Sequence, residues 1–206
     1  GDGPPVLPRG FVVVRPGLYR CERDEALMVH VPPGEFAMGQ EGLGDAMRPV
    51  HRVRLKGYLI DRTEVTNRMY AAFLNLRGKD DDDEARRMIY AETNVGLVKR
   101  GDTWSPVRGY EDHPVVRVTW FGAAAYAAWA GKELPSEAQW ERAARGNGGR
   151  TYPWGDAVPR ADLCVFGRRP PERTERTGAR RGGASPFGCF DMAGNVREWC
   201  RDWFDA

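Results

Sequence analysis

The stretch Asp191–Trp199, DMAGNVREW, holds the side chains of this chain best suited to grip a cation. Asp191 and Glu198 are hard oxygen donors seven residues apart, with the turn formers Gly194 and Asn195 between them. A tight turn there would aim main-chain carbonyls inward, so one loop could offer two carboxylates and several carbonyls. Calcium takes about six to eight such oxygens. From the residues alone, a plain turn flanked by surface acids competes with this reading. The acidic run Asp80–Glu84 has the charge for calcium but lacks the EF-hand spacing and its central glycine, so it reads as a solvated face.

Thiol chemistry would fall to Cys21, Cys164, Cys189 and Cys200. None forms a CxxC pair, which argues against a zinc ribbon or a thioredoxin-type site. Cys189 and Cys200 lie eleven residues apart and could suggest a soft-metal pair. Buried cysteine behaves as a small hydrophobe, however, and structural cysteines are the expectation, with a disulfide through Cys164 as the other option. His30, His51 and His113 show no metal-binding spacing and are read as structural. Seven tryptophans could form a ligand cage, but a loop-rich domain needs them as core, with Trp104 the one expected to be exposed. The arginines from Arg168 to Arg181 could meet an acidic partner, although Glu172 and Glu175 interrupt them and favour a solvated loop.

Short elements must position these groups. Phe11–Val14, Leu27–Val31, Glu35–Met38 and Val115–Val118 read as strands, and Val50–Ile60 alternates as one half-buried strand. Thr66 caps an expected helix over Asn67–Leu76, and Thr119 caps a small-residue helix over Phe121–Ala130. Ser136 and Gln139 have capping-box spacing for a third helix, which Gly146 closes. Pro/Gly-rich residues 1–21 read as a terminal arm or linker, and residues 22–206 as one domain. The pattern is α+β, with much irregular loop.

Composition narrows the function classes. The hydrophobic share is 41% and the charged share 29%, which is globular, and 206 residues can bury a core. A formal net charge of +2 gives no mandate for nucleic acid. No apolar run reaches the roughly 20 residues of a membrane span. Gly1 is neither Met nor part of a leader, so a leader has been removed or the sequence is a portion of a longer one.

Several segments in one order carry a resemblance. They are VPPGEFAMG at Val31–Gly39, YLIDRTEVTN at Tyr58–Asn67, HPVVRVTW at His113–Trp120 and LPSEAQWERAARG at Leu134–Gly146. YPWG at Tyr152–Gly155 and MAGNVREW at Met192–Trp199 complete the set. Together they resemble the formylglycine-generating-enzyme (sulfatase-modifying factor) family. The resemblance implies a compact, C-type-lectin-like α+β fold held partly by structural calcium. It assigns the calcium ligands to the side chains of Asp191 and Glu198 and the carbonyls of Gly194 and Val196. A weaker second site would use Asp162 and the carbonyl of Leu163, but Arg168–Arg181 offers no aspartate for its other half.

The family's chemistry is oxidation of a peptide cysteine to formylglycine by oxygen and a copper ion held between two C-terminal cysteines. None of the four cysteines here aligns with that pair, so no catalytic residue carries over, and copper is expected only if a further C-terminal pair exists. The domain is expected to lack the family's C-terminal segment. It therefore reads as a non-catalytic binding or structural module with a protein or peptide ligand, or a partner chain or domain completing the fold. The alternative is an incomplete copy of the copper-dependent oxidase.

Overall fold

Leu18–Cys21 and Leu27–Val31 carry apolar residues that are buried on both sides of their strands, and they form the middle of the main sheet. The computed structural model describes residues 5–41, 47–76, 87–90, 93–168 and 174–203; the Asp80–Glu84 run lies outside them. Four antiparallel strands, β1 (Phe11–Arg15), β2 (Leu18–Cys21), β3 (Leu27–Val31) and β6 (Tyr58–Asp61), stand in the order β1-β2-β3-β6. Pro16 and Gly17 join β1 to β2, and Gly17 supplies the positive φ of 79° that the tight turn needs. Both strands fall within the expected N-terminal arm and pair into the sheet.

Two hairpins flank this sheet: β4 (Gly34–Met38) with β5 (His51–Leu55), and β7 (Leu97–Arg100) with β8 (Thr103–Pro106). The single strand expected over Val50–Ile60 is therefore two strands in two sheets. The chain breaks at Gly57, where a Cβ would stand 3.0 Å from His30 Nε2 and 3.1 Å from Pro33 Cδ. Val115–Val118 is not a strand either. It is fastened by single bridges, Thr66 to Pro114 and Ile89 to Val118.

The three helices follow their caps. In α1 (Asn67–Leu76) the Met69 N–H donates to Thr66 Oγ1, and Tyr70, Ala71, Phe73 and Leu74 are buried. In α2 (Trp120–Trp129) the Gly122 N–H donates to Thr119 Oγ1 at 3.0 Å. Gly122 also permits close packing, since a Cβ there would lie 2.1 Å from the Met88 carbonyl oxygen. In α3 (Glu137–Arg145) both halves of the Ser136–Gln139 capping box form, and Gly146 leaves the helix at φ 69°.

The core has two larger parts. Tyr70, Phe73 and Leu74 of α1 meet Tyr126 and Trp129 of α2, with Tyr70 and Tyr126 stacked at 5.7 Å. Trp104, expected to be exposed, is buried in this cluster. The β7–β8 hairpin lies on α1, and Asn75 clamps the Trp104 backbone with two 2.8 Å hydrogen bonds. The second part packs Ala143 and Ala144 of α3 against Val29, Val31, Cys189 and Met192. Between these parts Lys132 Nζ bonds Asp24 Oδ2 at 2.7 Å and Asp61 Oδ1 at 2.8 Å, and Tyr126 donates to Asp24. Among the described residues, no helix is long and apolar enough to cross a membrane.

Candidate cation loop and thiol environment

Cys189 is fully buried, which anchors the start of the loop that follows it. Its N–H donates to Ser185 Oγ, and the Phe190 N–H donates to the Arg62 carbonyl at 2.8 Å. These bonds tie residues 185–190 to the junction between β6 and α1. Asp191 and Asn195 then take positive φ values of 57° and 59°, a conformation that short polar side chains tolerate. Gly194, at φ 104°, passes so close to Val165 that a Cβ would lie 2.2 Å from its carbonyl oxygen. Only glycine fits there.

Asp191 is buried, and its Oδ2 accepts from the Gly178 N–H at 2.5 Å. Asn195 accepts from the Glu175 N–H at 3.0 Å and donates to Glu64 Oε1 at 3.0 Å. Glu64, from the β6–α1 junction, is only 7% exposed, and no donor reaches its Oε2. Burial pushes the Glu64 carboxyl up to about 10, with Asp191 and then Glu198 adding repulsion. Asp191 is also raised, chiefly by burial, against the pull of the Gly178 N–H. Glu198 accepts from Trp140 Nε1 at 3.0 Å. Solvent reaches it, yet the protein around it desolvates the carboxyl and pushes it up to about 7.

Three carboxyls that share one region, each held toward its neutral form, are electrostatically short of a positive charge. A divalent cation would supply it, and the undonated buried oxygen of Glu64 fits such an ion. Sequence reasoning placed Asp191, Gly194, Val196 and Glu198 on this loop but missed Glu64. Its only signal was membership of the segment YLIDRTEVTN, far upstream. The other candidate pair is arranged differently. Asp162 is exposed and takes a two-pronged ion pair from Arg160, at 3.1 and 2.9 Å, while the Leu163 carbonyl packs onto Gly183.

The thiols do not gather. Cys21 donates to the Ala130 carbonyl in a small apolar cluster, whereas Cys189 sits in the α3 cluster. Burial raises all four thiols, Cys189 to about 12 and Cys200 to about 11. All four are free cysteines, so the Cys164 disulfide does not form. A Cu(I) centre needs two converging thiolates, and this donor set does not fit one. His51 and His113 are hydrogen-bonded, to the Pro49 carbonyl and to Thr174 Oγ1. In the arginine-rich loop, Arg168 and Arg180 both pair with Glu175.

Comparison with known proteins supplies the context for this geometry. Residues 18–206 match the family model described as the sulfatase-modifying factor enzyme 1-like domain. The chain is 36% identical to the formylglycine-generating enzyme of Streptomyces coelicolor, over 96% of this chain and 75% of that protein. It is 38% identical to the serine/threonine-protein kinase Pkn1 of Chlamydia trachomatis, over 86% of this chain but only 28% of that protein. The solved structure of PvdO from Pseudomonas aeruginosa superposes with a TM-score of 0.68 at 26% identity, covering 92% of this chain and 76% of that one. The α+β, C-type-lectin-like expectation thus holds, and the chain belongs to the sulfatase-modifying factor (formylglycine-generating-enzyme-type) domain family.

Proposed function

We propose that this chain works as a non-catalytic binding or structural module whose 191–198 loop is fastened by calcium. The separation of the four thiols carries the first half of that reading. Each is held protonated by its own surroundings, so the region has no pair of thiolates to grip copper. The undonated Glu64 oxygen beside Asp191 supports the second half. Asp191 and Glu198 would hold the ion by side chain and Gly194 and Val196 by carbonyl, with Glu64 reaching in from the β6–α1 junction. Calcium here would neutralise the carboxyls and lock the loop to the sheet, with no bond-breaking step.

A second reading has one observation in its favour. The 36% identity to a formylglycine-generating enzyme that is longer than this chain fits a copper oxidase of which these residues are part. One assay separates the two. The chain is loaded with Cu(I), supplied with oxygen and a cysteine-containing sulfatase peptide, and the peptide is followed by mass spectrometry. The module reading expects the cysteine to survive intact; its conversion to the aldehyde would overturn it.

A further inference from the structure

One edge of the main sheet opens into a cavity. Among the described residues β6 pairs only with β3, so its other side carries backbone N–H and C=O groups at alternate residues with no strand beside them. All four residues of β6 line a cavity of about 900 Å³. Val118, Leu134, Met192 and Trp199 also line it. That volume is at the upper end of the ~300–1,000 Å³ usual for small-molecule sites, and an apolar wall beside a bare strand edge suits an extended chain better. A rigid small molecule would leave the backbone edge unsatisfied.

The charge on the wall narrows the occupant. Asp61, the last residue of β6, shares the Lys132 ammonium with Asp24, giving two carboxylates against one cation. The Asp24 side chain is sealed at 0% exposure, whereas that of Asp61 is 22% exposed. Glu133 and Glu198 line the same cavity, and the basic residues Arg117 and Arg197 are exposed to solvent. A basic side chain brought to Asp61 would balance the buried triad, as an opposite-charge pair does across neighbouring strands.

We propose that the cavity is the docking site for an extended strand donated by a partner polypeptide, which pairs with the free edge of β6. Its apolar side chains, at alternate positions, pack on Tyr58, Ile60 and Leu134, and one arginine or lysine meets Asp61. The proposal rests on the reading of the chain as a binding module but not on the calcium loop, since neither β6 nor Asp61 belongs to that loop. The copper assay tests the module reading separately.

A random decapeptide library displayed on phage is panned against the folded 206-residue chain, and enriched peptides are synthesised for calorimetry. The expected consensus alternates apolar residues and carries one arginine or lysine. Replacing that residue by norleucine is expected to weaken binding about ten-fold or more. N-methylation of the peptide backbone is expected to abolish binding at alternate positions only. Asp61→Asn in the protein should match the norleucine loss, and the peptide changes test the same contacts without disturbing the fold. Failure to enrich any peptide, enrichment without a basic residue, or tolerance of N-methylation throughout would overturn the proposal. So would a dimer of the chain that covers β6 in sedimentation.

Discussion

At the scale of single residues, Glu64 governs how the cation loop responds to pH. Its carboxyl stands at about 10 in the fold, against an ordinary 4.5, and that of Glu198 at about 7. The folded state therefore holds more protons than the unfolded one between these values. The stability they contribute is complete below about pH 4.5 and is lost as pH rises through about 7 for Glu198 and on toward 10 for Glu64. The urea midpoint of the calcium-free chain should fall between about pH 5 and 8, with a shallower fall in Glu64→Gln. A midpoint that is flat, or that rises, over that range would contradict the assignment. Asp191, Gly194 and Glu198 were legible because turn formers and acids sit together in one short segment. Glu64 was not, because only the folded chain brings the β6–α1 junction to that loop.

Among the elements, caps were the most legible signal. Thr66, Thr119 and Ser136 each precede their helices as read, because a cap is a local hydrogen bond that needs no tertiary partner. Long-range packing decided what was misread. Val50–Ile60 alternates throughout, yet the close approach of His30 and Pro33 to Gly57 divides it between two sheets. Trp104 sits among turn formers, yet the β7–β8 hairpin presses it onto α1. The joint between β6 and α2 rests on Lys132, whose side chain is only 8% exposed, and on the sealed Asp24. Lys132→Met leaves two carboxylates without their cation and should cost about 3–5 kcal/mol in urea unfolding. Pairing it with Asp24→Asn should recover part of that loss. A cost within about 0.5 kcal/mol would show that the triad does not hold this joint.

Across the whole molecule, the fold was legible from the order of its segments rather than from any one of them. Individually modest runs such as YPWG and LPSEAQWERAARG gain their meaning from collinearity, and residues 18–206 match the family model. Function was less legible, because a shared fold does not carry an activity with it. What distinguishes this chain is the placement of its charges and thiols: carboxyls crowded around the 191–198 loop and thiols kept apart. The chain spans 75% of the Streptomyces coelicolor enzyme and 28% of Chlamydia trachomatis Pkn1, so the same domain serves polypeptides of different length. Isothermal titration of the chelator-treated chain with calcium chloride tests the account most directly. It should show one saturable equivalent of calcium with release of protons to the buffer, lost in Asp191→Asn and weakened in Glu64→Gln. No saturable heat, or binding that Asp191→Asn leaves unchanged, would contradict it.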